Sequence, residues 1–156
     1  MRLEWSKVLP EGYEAMSGIQ KIVDESKIDH KLLEFVKIRA SQINGCAYCL
    51  DMHTKDAAAL GETGQRLHLV SVWREAPFFS LRERAALAWC EALTNISGNS
   101  VSDDVYREVE ILFSPVELVE LTLAIVAING WNRLAVGFRS PVGSYVSDKG
   151  IELKEV

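Results

Sequence analysis

Two short runs, Ser80-Leu81-Arg82-Glu83 and Ser114-Pro115-Val116-Glu117, restrict the fold of this chain more than any other feature. Each places a hydroxyl where it can accept from the backbone N–H three residues on. Each also places a carboxylate where it can reach back to the N–H of the first residue, and it is a helix start that leaves such donors unpaired. The second run adds Pro115 at the first helical position, where its missing N–H costs nothing. Behind the first run, Ala85, Ala88, Trp89 and Ala92 recur at helical spacing. Behind the second, the sequence is largely apolar through Ile128, which suits a helix at a domain centre or a subunit interface.

The same punctuation runs through the rest of the chain. Leu9-Pro10-Glu11-Gly12 opens a helix carrying Tyr13, Met16, Ile19, Ile22 and Val23, and Asp29 caps a second helix from His30 to about Gln42. The breaker Asn44-Gly45 then interrupts the period. It resumes at Cys46, with Cys49, His53, Ala57 and Leu60 on one helical stripe, and Gly61 closes that helix. Thr63 caps a short amphipathic segment through Leu67, Val70 and Trp73, Glu75 to Phe79 reads as a loop, and Ser102 starts a helix with Val105, Val109 and Leu112. Asn129-Gly130 marks a kink or a close helix approach, and an irregular tail is expected from about Ser140. Period-two alternation is not sustained anywhere, so the expected fold class is all-α. With 156 residues, no repeat and no linker, one domain over 1–156 is expected.

Charge and composition narrow the function. A formal net charge of −5, with no Lys/Arg run longer than two, argues against nucleic acid as a partner. The N-terminus has no apolar signal core, and the stretch Leu121 to Ile128 is too short to cross a bilayer, so no membrane partner and a cytoplasmic location are expected. Three cysteines are too few, and odd in number, for a secreted disulfide framework.

Two of those cysteines form Cys46-Ala47-Tyr48-Cys49. A working thiol needs its pKa lowered from about 8.5, and the local sequence offers two devices. A helix starting near Cys46 turns its unpaired N–H groups and positive end toward that sulfur. His53, one turn after Cys49, can take a proton from the second thiol and deliver it to a leaving oxygen. Cys49 is therefore the expected attacking sulfur, with Cys46 resolving its sulfenic acid into a disulfide. On the preceding helix, Glu34 shares a side with Ile38 and Ser41, and a tight turn at Asn44-Gly45 can bring it toward His53 as an orienting carboxylate.

The stretch Glu34-x4-Arg39-x-Ser41-x2-Asn44-Gly45-Cys46-x-Tyr48-Cys49-x3-His53 resembles the core motif of the alkyl hydroperoxidase D family, within the carboxymuconolactone-decarboxylase-like superfamily. Leu81 to Ala88 and Ile125 to Arg133 also resemble that family, so the similarity covers roughly residues 30 to 139. The resemblance implies a helical subunit, assembled into trimers or hexamers, that reduces organic hydroperoxides. Cys49 then matches the peroxide-attacking cysteine, Cys46 the resolving one, His53 the relay histidine and Glu34 its carboxylate. Such a cycle needs no metal or organic cofactor, only a thiol–disulfide reductant protein. Where well-studied members carry a second histidine, this chain has Tyr48, a hydrogen-bond donor but a poor base at neutral pH and a candidate substrate contact.

Other readings predict different chemistry. A zinc site is disfavoured because Cys46 and His53 are seven residues apart, about 10 Å along a helix axis. A thiol–disulfide carrier or redox sensor would use the same cysteines without peroxide, and a decarboxylase-like or ligand-binding oligomer would not need them. Arg39 is expected in a structural ion pair, Cys90 buried and inert, His30 and His68 at the surface, and Trp131 and Phe138 in core or interface.

Overall fold

The computed structural model describes residues 1–98 and 100–149, and these contain eight α-helices and no strand. They are α1 (Trp5–Val8), α2 (Pro10–Asp24), α3 (His30–Ile43), α4 (Ala47–Ala59), α5 (Gly64–Leu69), α6 (Leu81–Thr94), α7 (Asp103–Leu112) and α8 (Pro115–Phe138). A 3₁₀ turn, Val70–Val72, follows α5. The caps operate as the sequence suggests. Asp29, Thr63, Ser80, Ser102 and Ser114 each accept a backbone N–H of the first helical turn, and both Ser80 and Ser114 complete the reciprocal box with Glu83 and Glu117.

Helix α3 is the hub. It packs on α4, α6 and α8, while α2 lies on α8 and α7 on α6. Both faces of α3 are apolar, so two cores form around it. Leu33, Val36 and Ala40 pack with Cys46, Cys49, Trp89 and Ile125, whereas Phe35 and Ile38 pack with Val70, Trp73, Phe79 and Leu87. Phe35 and Phe79 meet edge to face at 5.5 Å.

Two expectations need correction. Helix α1 was not anticipated; its single turn has no side-chain cap and buries no residue. Helix α8 continues unbroken through Asn129-Gly130 to Phe138, just before the tail expected from about Ser140. The dipeptide is a close approach: a Cβ on Gly130 would lie 2.7 Å from Met16 Cε, so the missing side chain lets α2 seat against α8 within one chain. Continuous over 24 residues, α8 holds an 18-residue window of mean hydropathy 1.3, long and apolar enough by composition to span a bilayer, unlike the shorter stretch judged from sequence. Its Leu121, Ala124, Ile125 and Ile128 are nonetheless buried in the chain's own core, as in a central packing helix.

Candidate functional site

The turn between α3 and α4 places the first cysteine. Gly45 takes φ +64°, a left-handed conformation that glycine adopts without strain. Gly45 N–H donates to Gln42 O at 3.3 Å and Cys46 N–H to Ser41 O at 2.9 Å, the paired bonds of a Schellman ending. The residue that completes this ending is at once the N-cap of α4. Cys46 therefore occupies the position where a helix turns its free N–H groups outward, and its Sγ accepts from Cys49 N–H at 3.4 Å.

Both thiols are buried, and they differ sharply. Cys46 is lowered from 9.0 to about 7: the hydrogen bond from the Cys49 thiol does most, burial opposes it, and the Cys49 N–H and Asn132 amide assist. Cys49 is pushed far above the ordinary thiol range, because it donates that same hydrogen bond, is buried and faces the charge on Cys46. The contact between the two sulfurs therefore favours the thiolate on Cys46 and the thiol on Cys49. Among the described residues His53 makes no hydrogen bond to Cys49, so the expected direct uptake of the Cys49 proton by the imidazole is not preformed.

The imidazole is instead held from behind. His53 Nδ1 donates to Glu34 Oε2 at 2.7 Å, and Lys37 Nζ donates to Glu34 Oε1 at 2.8 Å. Burial alone would raise the Glu34 carboxyl, but the His53 hydrogen bond and the Lys37 charge outweigh it and hold it at about 2, against an ordinary 4.5. The carboxylate is ionised at neutral pH, so the ring nitrogen that faces it, Nδ1, carries a proton. Lys37 is a site residue that sequence reasoning missed, because Lys three residues after Glu on a helix ordinarily marks a solvated ion pair. Arg39, by contrast, pairs structurally with Glu91 at 2.7 Å, as expected.

Asn132 is the second omission. Buried on α8, it donates to Ser41 Oγ at 3.1 Å and accepts from Asn44 Nδ2 at 2.9 Å, while its amide also favours the thiolate form of both cysteines. A lone amide on the buried face of an apolar helix was the available signal, since such a group requires partners.

These groups open onto a cavity of about 600 Å³. Cys49, Tyr48, His53, Glu34 and Lys37 line it and Cys46 does not, so a molecule in the cavity meets Cys49 first. Burial raises the Tyr48 phenol, as does the charge of the cysteines, which keeps it a proton donor. Asp56 also lines the cavity and accepts from Tyr145 OH at 2.8 Å, while Lys55 Nζ donates to Tyr145 O at 3.0 Å, tying residues beyond α8 across α4. Trp131, expected in core or interface, packs half-buried against the core and also lines the cavity wall. His30 and His68 are exposed.

Glu34, His53 and Asp56 place ligand atoms within 4.8 Å of one another, a set that a metal ion can use. Its chemistry fits proton handling better. Glu34 is already taken by Lys37 and His53, Asp56 by Tyr145, and the Lys37 amine beside Glu34 repels a cation.

The split between the two thiols has a measurable consequence. Titrating thiolate absorbance near 240 nm should give one group with an apparent pKa of about 7. In Cys49→Ala that value should rise toward the free-cysteine value of about 8.5. An unchanged value would assign the effect to the helix terminus alone.

Residues 10–92 match the model of the carboxymuconolactone decarboxylase family. An uncharacterised Bacillus subtilis protein, YdfG, is 38% identical over 143 residues, 92% of this chain and 97% of its own. A crystal structure of an Agrobacterium tumefaciens protein of unknown function, suggested to be the antioxidant defence protein AhpD, superposes with a TM-score of 0.88. It is 42% identical and covers 92% of this chain and 99% of its own. The debrominase Bmp8 shares the fold at 20% identity and a TM-score of 0.77, over 86% of this chain and 73% of its own.

Proposed function

Because the chain belongs to the carboxymuconolactone decarboxylase family, in its alkyl-hydroperoxidase-D-like part, we propose that it is a thiol-dependent peroxidase acting on organic hydroperoxides through Cys49 and Cys46. The observation that carries this reading is an arrangement: Cys49 and the Glu34–His53 pair face one cavity, with Cys46 behind Cys49 and hydrogen-bonded to it.

In the proposed cycle, the proton shared by the sulfurs passes from Cys49 to Cys46 and leaves a Cys49 thiolate. This thiolate attacks the terminal peroxide oxygen. The O–O bond breaks, Cys49 becomes a sulfenic acid, and the departing alkoxide takes a proton that His53 relays from solvent, the equivalent of the one lost when the thiol pair ionised, with Glu34 holding the ring and stabilising its charged form. Tyr48 donates a hydrogen bond to the bound peroxide. The Cys46 thiol then attacks the sulfenic sulfur, forming the disulfide and releasing water. One hydroperoxide and two thiols give one alcohol, one water and one disulfide, and a dithiol carrier protein restores the thiols by exchange.

A second reading draws on the lowered Cys46 thiol: a thiol–disulfide carrier or redox sensor for which peroxide is not the oxidant. Stopped-flow oxidation of the reduced protein by hydrogen peroxide and by a bulky alkyl hydroperoxide, with thiols counted before and after, separates the two. The peroxidase loses two thiols faster than free cysteine does. Slow reaction with both peroxides, but ready oxidation by small disulfides, selects the carrier.

A further inference from the structure

The outer part of the cavity differs from its catalytic floor. Trp5, Tyr13 and Trp131 stand together on its wall, with ring centroids 5.8 to 6.1 Å apart and the Tyr13–Trp131 pair edge to face. Trp131 Nε1 donates to Gln20 Oε1 at 3.3 Å, which fixes its plane. Tyr48 and Tyr145 add two more rings nearer the floor. Aromatic walls of this kind bind planar, polarisable bodies and attract cations through their ring faces.

The charges lining the same space are unbalanced. Among the described residues, Glu4, Asp24 and Asp148 are exposed in its outer part, set against Lys149 and the Met1 amine, and Glu4 pairs with Lys7 at 2.8 Å. At the floor, Glu34 and Asp56 stand against Lys37. Across outer part and floor together the carboxylates outnumber the cations, and a cleft whose lining carries such an excess biases its field toward one sign. A carboxylate on the substrate meets a lining of net negative charge, whereas a neutral or amine-bearing body does not lose by it.

We propose that the cavity selects bulky aryl hydroperoxides that are neutral or cationic, and rejects carboxylate-bearing ones such as free fatty-acid hydroperoxides. The selectivity rests on the peroxidase reading, whereas the ligand preference beneath it does not. Size points the same way, because about 600 Å³ lies within the range of small-molecule pockets and far exceeds what hydrogen peroxide fills.

Two measurements on the reduced protein test this separately. Calorimetric titration with 2-phenyl-2-propanol, 4-isopropylbenzylammonium and 4-isopropylbenzoate reads binding without oxidation. The alcohol and the amine should bind about tenfold or more tighter than the carboxylate, with the gap shrinking at high salt. Trp131→Ala should weaken the first two, and Glu4→Gln combined with Asp24→Asn and Asp148→Asn should narrow the gap. Equal or tighter binding of the carboxylate, or no binding of any of the three, overturns the proposal.

Stopped-flow oxidation by linoleic acid hydroperoxide and by its methyl ester, with cumene hydroperoxide alongside, reads the reaction. Cumene hydroperoxide and the ester should both outpace the acid, and equal rates for acid and ester overturn the selectivity. If no hydroperoxide oxidises the pair while the amine and the alcohol still bind, the peroxidase reading fails and the ligand preference stands.

Discussion

Cys49→Ser should lose peroxide turnover by roughly a thousandfold or more, because it removes the proposed nucleophile from the cavity and losing a nucleophile costs nearly the whole chemical acceleration. The loss should not come from misfolding, since serine differs little in size from cysteine. Cys46→Ser tests the other half of the cycle. Serine is a favoured N-cap, so the start of α4 is preserved. The variant should react once with peroxide and stop at a Cys49 sulfenic acid that dimedone traps, seen as a mass increase on the peptide carrying Cys49. Full multiple turnover by Cys46→Ser with a dithiol reductant would show that Cys46 does not resolve the intermediate.

Glu34→Ala should cost about 3–5 kcal/mol of stability, because it strands the buried Lys37 charge and leaves the His53 N–H without its acceptor. Glu34→Gln keeps an oxygen in place and should cost less, while still slowing peroxide reduction by about 10²–10⁴-fold through loss of the charge behind the imidazole. The two effects are separable by pH. The folded-state pKa of Glu34 lies below its ordinary 4.5, at about 2. Its contribution to stability is therefore complete above about pH 4.5 and drains away as the pH falls toward about 2. Urea unfolding between pH 6 and pH 2.5 should show this loss in the wild type and a flatter profile in Glu34→Gln. Parallel profiles would remove Glu34 as the linked group.

Much of the fold was legible because helix starts carry their own chemistry. Asp29, Thr63, Ser80, Ser102 and Ser114 each supply an oxygen that an N-terminal N–H needs, and each helix begins beside its cap. What escaped had no such signal or an ambiguous one. The Trp5–Val8 turn has no cap. Asn129-Gly130 left a kink and a close approach both open, and the structure has the second: the Asn129 amide donates to Ile125 O and the Gly130 gap receives Met16 within an unbroken helix.

The site divides in the same way. Glu34, Cys46, Cys49 and His53 lie close in sequence and announce themselves by spacing. Lys37 and Asp56 follow Glu34 and His53 by three residues, a pattern shared with any solvated helix face. The cavity wall could not be read at all, because Trp5, Trp131 and Tyr145 come together only when both ends of the described chain fold over α4 and α8. The direction of the thiol asymmetry was half visible. The helix terminus pointed to Cys46, but the hydrogen bond donated by Cys49 depends on the N-cap geometry.

Cys90 gives the molecule an internal clock hand. Its thiol is fully buried, is pushed up by burial to about 12 and lies 3.3 Å from Val36 O, where it donates to the carbonyl. Below about pH 10 a labelling reagent should reach it only when the α3–α6 contact opens. Label at Cys90 reports opening, whereas the mass of the peptide carrying Cys46 and Cys49 reports whether the disulfide is present, so the two readings do not depend on each other. Pulsed alkylation read by mass spectrometry thus separates redox state from integrity in one spectrum, with no fluorophore or tag added. Each catalytic preparation would carry its own record of how much of it was still native.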